Sequence, residues 1–331
     1  MSYHCNNSEC DLHKAHLPQS AATKLDHRCF LCDGGELVVP KLTLDGIIKE
    51  VESLPVALQI LPRLQLLLND DNSNIDDIIN VTRADASLVT QLIKISNSAI
   101  YSLSESRFCN SIEEALNRIG FNTAYRVVGY VAAKQIFQQD LEIYGMTGLS
   151  LWEASVRTAN CMQRLSSMIQ ASSDSYVIPD DTTAYTVGLL HPIGKMLVNH
   201  YHETYGIPAI TDADYPLNED AEKMHLGFNH REAAAKLLAH WNFQEEVIDP
   251  ILHQSNPLSS KGDRPLACLL HVVSSAVLQF PLGCELTLDE MAERLKPNHE
   301  YAAIVGIPKR DILKVLLDSA EECSHLTKSL S

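Results

Sequence analysis

Two groupings of residues in this chain could do chemistry. The first is Gly188-Leu189-Leu190-His191-Pro192-Ile193-Gly194-Lys195, set in an apolar helical run from Asp181 to about Tyr201. It holds an imidazole and an ammonium one helical turn apart. The residue after His191 is proline, which has no side-chain oxygen and constrains the helix at that point. The second grouping is a crowd of thiols. Of nine cysteines, Cys5, Cys10, Cys29 and Cys32 fall in the first 32 residues, as C-x4-C, an eighteen-residue gap, then C-x2-C followed by Gly34-Gly35. Four thiolates suit tetrahedral zinc, and a short segment with few large apolar residues can draw its fold from the metal. His4, His13, His16 and His27 are substitute ligands. The alternatives are a redox pair at Cys29 and Cys32, or a tail with scattered thiols.

The string at 188–195 closely resembles G-L-L-H-D-I-G-K, the signature of HD-type metal-dependent phosphohydrolases. In those enzymes the adjacent His and Asp bind a divalent metal, which lowers the pKa of bound water and polarises a phosphoryl oxygen. Here Pro192 stands at the Asp position. Carried over residue by residue, the resemblance puts the first metal histidine, in its W-x-H-S-like context, at Ala154 of Leu151-Trp152-Glu153-Ala154-Ser155. The last metal Asp falls on a serine, Ser274 or Ser275. His191, His230 and His253 remain where the family places ligands or their neighbours, and Lys195 where a working enzyme contacts substrate or phosphate. Three imidazoles can in principle hold zinc. The other reading is a hydrogen-bonded, empty polar cluster, with Lys195 solvated or part of a residual anion pocket. No carboxylate remains for a second metal, and no cofactor is expected in this degenerate site.

The upstream half narrows the resemblance. Asp85-Ala86-Ser87-Leu88 leads into Leu92-Ile93-Lys94-Ile95-Ser96-Asn97-Ser98-Ala99-Ile100-Tyr101, then Ser111-Ile112-Glu113-Glu114-Ala115-Leu116-Asn117-Arg118-Ile119-Gly120. This succession is similar to the HD-related output domain (HDOD), with its D-P-x-L, L-x-x-x-N-S-x-x-Y and S-I-x-x-A-I-x-x-L-G pattern, and it covers about 50 to 325. Ala86 replaces the usual Pro, which alters a helix start but no chemistry. The resemblance implies a non-catalytic regulatory module of bacterial signal transduction, acting on other signalling proteins. The alternative is a residual single-metal phosphohydrolase using His191, His230 and His253.

The elements that must position these residues read as helices. Ser73 with Asp76, and Ser111 with Glu114, are capping-box patterns. Leu88, Leu92, Ile93 and Ile95 recur at helical spacing. Gly120 sits where a helix C-cap favours glycine. Trp152–Ile169, His230–Trp241, Arg264–Phe280 and Lys309–Leu317 complete the helical set. Few stretches alternate with period two, so the fold class is all-α, a multi-helix bundle, and no sheet is expected. Asn97 and Ser98 read as a helix cap rather than a catalytic pair. The expected organisation is a Cys/His-rich segment at 1–40 and a helical domain at 41–331. That domain divides into a lobe at 41–145 holding the Asn-Ser motif and a lobe at 146–331 holding the degenerate HD core, joined at Tyr144-Gly145-Met146-Thr147-Gly148.

Composition bounds the partners. Lys and Arg total 26 against 42 Asp and Glu, a net charge of −16 over 331 residues. Such a field repels nucleic acid and anionic membranes. The first twenty residues lack an apolar core of the secretory kind, and no run approaches a membrane span, so a cytoplasmic protein is expected. In a reducing compartment the crowded thiols would not persist as disulfides. We therefore expect one zinc on Cys5, Cys10, Cys29 and Cys32. Elemental analysis should find about one zinc per full chain and none in a form beginning near Leu42. Equal zinc in both would assign the metal elsewhere.

Overall fold

The computed structural model describes residues 2–5, 17–18, 37–38, 44–50, 56–68, 74–98, 101, 108–172, 181–205 and 219–330. The chain begins with three short strands, β1 (Ser2–Cys5), β2 (Leu17–Pro18) and β3 (Leu37–Val38). They form an antiparallel sheet in the order β2-β1-β3. Such pairing was not expected from the sequence, because two-residue strands are too short to show alternation. Cys5 ends β1, whereas Cys10, Cys29 and Cys32 lie outside the described residues, and the zinc arrangement with them.

Beyond them the described residues form helices joined by turns and short connections, with one isolated antiparallel bridge between Leu141 and Met146. The helices α1 (Leu44–Glu50), α2 (Val56–Leu68), α3 (Ile75–Thr82), α4 (Ala86–Ser96), α5 (Ile112–Ile119) and α6 (Phe121–Ile136) come first. A second set follows: α7 (Gly148–Ser172), α8 (Asp181–Leu190), α9 (Ile193–Tyr205), α10 (Glu219–Leu226), α11 (His230–His240), α12 (Glu245–Leu252) and α13 (Arg264–Gln279). The last are α14 (Leu288–Arg294), α15 (His299–Val305) and α16 (Lys309–Leu330). Among the described residues no helix is long and apolar enough to cross a membrane.

Several starts are set by side chains that accept the orphan amides of a first turn. Asn74, not Ser73, caps α3, and its box partner is Asp77, one residue on from the expected pair. Asp85 accepts from the amides of Ser87 and Leu88, so α4 starts at Ala86 without proline. Ser111 accepts from the Glu114 amide as expected, but the Glu114 carboxylate accepts from the Asn110 amide, so the expected box is half formed. Gly120 has φ of +77° with an extended ψ, so it ends α5 and opens α6 in the same residue. The expected helix from Asp181 to Tyr201 is two helices. Pro192 carries no amide hydrogen, and the chain turns at His191–Pro192 before α9 begins.

The buried apolar residues form one cluster from Ile48 to Cys323. At its centre α6 crosses α7 and α8 through tyrosines whose hydroxyls are all bonded. Tyr130 donates to Asn160 Oδ1 at 2.7 Å, Tyr185 donates to the Arg126 carbonyl at 2.9 Å, and the Tyr125 and Thr186 hydroxyls meet at 2.6 Å. Gly129 makes room for this, since a Cβ there would lie 2.6 Å from the Tyr185 hydroxyl.

Asn97, at the C-terminal end of α4, is structural, as the sequence indicated. Its Nδ2 donates to the carbonyls of Ile93 at 3.0 Å and Cys109 at 2.8 Å, and its Oδ1 accepts from the Cys109 amide at 2.8 Å and from Arg118 at 3.2 Å. The side chain thus clips the start of the α5 approach to the end of α4. Asn97→Ala removes all four bonds and should lower stability by about 1–3 kcal/mol, read as a lower urea midpoint with unchanged slope.

Candidate functional site

The degenerate signature sits at the α8–α9 turn, and glycines hold it there. Gly188 lies against α7, where a Cβ would come within 2.7 Å of the Ala159 Cα. A Cβ on Gly194 would collide with the His230 carbonyl oxygen of α11. Backbone therefore meets backbone at both ends of the string, and the residues between are fixed against α7 and α11.

These contacts frame a cavity of about 100 Å³. Ala154, Pro192 and Ser274 all line it, together with His191, Lys195 and His230. The positions inferred to have lost their ligands are thus brought to one place, although they come from α7, the α8–α9 turn and α13. Of the two candidate serines, Ser274 lines the cavity, whereas Ser275 is exposed and does not. His253 is not part of this lining. Its Nδ1 lies 3.0 Å from both the carbonyl and the Oδ1 of Asp249, one turn earlier in α12. The neighbouring Gln254 reaches the cavity instead, donating to Ser274 Oγ at 2.7 Å. The three-imidazole metal site is therefore not assembled, because the turn after α12 directs His253 back onto its own helix.

His191 places Nδ1 2.7 Å from the Gly188 carbonyl. A carbonyl only accepts, so Nδ1 carries the proton and Nε2 keeps a lone pair. Burial pushes this imidazole down to about 3, the Gly188 bond opposes that, and the charges of Lys195 and Arg231 add to it. His191 is neutral across the physiological range. His230 is tied differently. Its Nδ1 lies 2.9 Å from both oxygens of Glu222, and its amide donates to Glu222 Oε2 at 2.6 Å.

Glu222 was not singled out from the sequence. Its side chain is 0 % exposed. It also accepts from the Tyr144 hydroxyl at 2.6 Å, and Tyr144 in turn carries the Lys195 ammonium over its ring, 5.2 Å from the centroid. Arg231, adjacent to His230, pairs with Glu219. Burial lowers Lys195 from the usual lysine value, and lowers Arg231 to about 10. Thr158, one turn beyond Ala154, completes the polar lining.

This donor set does not fit a divalent metal. The lining holds no carboxylate, its two imidazoles are too few ligands by themselves, and an ammonium and a guanidinium would repel the ion. Among the described residues no group of three or more His, Cys, Asp or Glu is arranged to hold one.

An all-helical bundle with a glycine-bracketed, ligand-depleted HD-type turn defines the class. The HDOD domain model matches residues 54–257. The chain belongs to the HDOD domain family. A curated relative from Treponema pallidum, an uncharacterized protein, is 25% identical over 225 residues, 67% of this chain, and the match spans 41% of the relative's length. Among solved structures, a Shewanella amazonensis protein described provisionally as a phosphohydrolase superposes with a TM-score of 0.61 at 20% identity, covering 88% of this chain and all of that one. An HDOD protein of unknown function from Geobacter sulfurreducens gives 0.57 at 17% identity, covering 86% of this chain and 95% of its own. A protein from Marinobacter aquaeolei, described provisionally as a signal transduction protein, gives 0.57 at 18% identity over 88% and 68%. At such identities the likeness is one of fold.

Glu222 has a pH signature. Burial alone would raise its carboxyl, but the hydrogen bonds and charge of His230 and the Tyr144 hydroxyl overcome this and hold it below 4.5. A folded-state value below the unfolded one contributes stability that is complete above about pH 4.5 and is lost as pH falls through the native value. Glu222→Gln should cost about 1–3 kcal/mol at pH 7, and its deficit against the parent should shrink below pH 4.5, as read by chemical denaturation across pH 3–7.

Proposed function

We propose that this chain is a non-catalytic regulatory module of bacterial signal transduction, working in the cytoplasm through contacts with other signalling proteins. The observation that carries the reading is that Ala154, Pro192 and Ser274 face one cavity. An HD-type hydrolase needs imidazole or carboxylate at each of those points to hold the ion that activates water. Membership of the HDOD family and the description of the Marinobacter aquaeolei neighbour support a signalling role. The net charge of −16 disfavours nucleic acid and anionic membranes as partners. In this reading the segment at 1–40 serves as a docking or specificity element for the helical domain at 41–331, with a structural zinc on its four cysteines.

The reading predicts no hydrolysis above background of nucleotides, cyclic dinucleotides or a chromogenic phosphodiester with Mn²⁺, Mg²⁺, Fe²⁺ or Zn²⁺. Metal-dependent turnover abolished by His191→Ala would overturn it. Pro192→Asp should also remain inactive, because Ala154 and Ser274 still leave the site short of ligands. Pro192 is buried, so the new carboxylate would be costly to bury unless Lys195 or Arg231 turned to meet it.

A further inference from the structure

We propose that the cavity beside His191 binds a single hydrogen phosphate ion, held by Lys195, Arg231 and Thr158 without a metal. The cations come first. Lys195 makes no ion pair among the described residues; its ammonium lies over the Tyr144 ring, 5.2 Å from the centroid, and the charge of Glu222 acts on it only from beyond ion-pair distance. Glu222 and Glu219 balance the region from behind, through His230 and Arg231, but neither lines the cavity. Besides His230, which is turned to Glu222, the charged side chains on the lining are the ammonium and the guanidinium.

The unsatisfied donors point the same way. Thr158 is 1% exposed and its hydroxyl has no hydrogen-bond partner, although a helical threonine could bond its own backbone. Arg231 Nε is also buried without a partner. Buried donors left unmet are costly, and an oxyanion in the cavity meets both while supplying Lys195 with a counter-charge. Burial depresses both cations, although Arg231 pairs with Glu219 and the charge of Glu222 partly opposes the shift on Lys195.

Size and the neutral imidazole select the anion. About 100 Å³ is well below the roughly 300–1,000 Å³ of pockets that enclose drug-sized ligands, so the site takes a lone tetrahedral ion and no nucleotide. His191 offers the cavity an Nε2 lone pair rather than a proton, since Nδ1–H is spent on Gly188. Orthophosphate at neutral pH keeps a P–OH that can donate to that lone pair. Sulfate has none. In calling the ion a signal, the proposal rests on the regulatory reading; the binding itself does not.

Isothermal titration of the full chain with inorganic phosphate in EDTA should give one site, with sulfate and glycerol phosphate each binding at least about tenfold more weakly. Lys195→Met and the near-isosteric Thr158→Val should each weaken phosphate about tenfold or more, while circular-dichroism melts confirm that both are folded. Absence of phosphate binding at millimolar concentration overturns the proposal. So does affinity unchanged in both variants, binding abolished by EDTA, sulfate bound as well as phosphate, or glycerol phosphate bound more tightly. If phosphate fails to bind and hydrolysis is also absent, the regulatory reading stands and only the ligand is lost. Metal-dependent turnover would instead overturn the regulatory reading, whatever the titration gives.

Discussion

The close approach of backbone to backbone at Gly188 and Gly194 is the constraint on which the site depends. Gly188 lets α8 lie on α7 at Ala159, and Gly194 lets α9 lie on α11 at His230. Only hydrogen fits at these contacts, because packed interiors leave no spare volume for a methyl group. With both ends of an eight-residue string fixed, the positions of His191, Pro192 and Lys195 follow, and so does their distance from His230. These glycines are needed whether or not a metal is ever held between them. The two glycines of the motif therefore serve packing independently of any chemistry between them.

Around the cavity, where an HD-type enzyme holds its metal, stands a set of fixed charges. Glu222 is buried and bonded by His230 and Tyr144, and Tyr144 also underlies Lys195. Arg231 is held from outside by Glu219. A buried charge is tolerated only when paired or well hydrogen-bonded, and Glu222 meets that condition with its three donors. Lys195 does not meet it within the protein. Opposite charges are thus layered around the cavity, acids behind and cations in front, where an HD-type enzyme would place acids in front.

The fold was readable in the sequence where local rules act alone. Asp85, Ser111 and Asn97 do what their positions next to apolar helical runs suggested, and α7, α11 and α13 fall where expected within a few residues. Ser73 misled because Asn74 beside it offers the same capping chemistry one residue later. The helix from Lys309 was read only to Leu317 because its later turns are polar, yet it continues to Leu330. Ala154, Pro192 and Ser274 were recoverable only by resemblance, since an alanine and a serine carry no signal of what they replace. Glu222 could not be read at all. Its partner His230 is eight residues away across a turn, and its own neighbours are acids of the ordinary exposed kind. Thr158 was within reach, one helical turn from Ala154 on the same face. Gln254 was missed by one residue, because His253 beside it is the more conspicuous ligand type.

The two sides of the cavity differ in how they are joined. On the α8–α9 side, the joints at Gly188 and Gly194 resist compression as steeply as any overlap of atoms does. On the α13 side, the turn after α12 is tied by two hydrogen bonds, Gln254 Nε2 to Ser274 Oγ at 2.7 Å and His271 Nδ1 to the Gln254 carbonyl at 2.8 Å, each of the order of 1 kcal/mol net. A strain applied inside would not be shared equally. It would leave the proline turn where it is and fall first on the hydrogen bonds at Gln254, so the cavity has an anvil on one side and a softer jaw on the other.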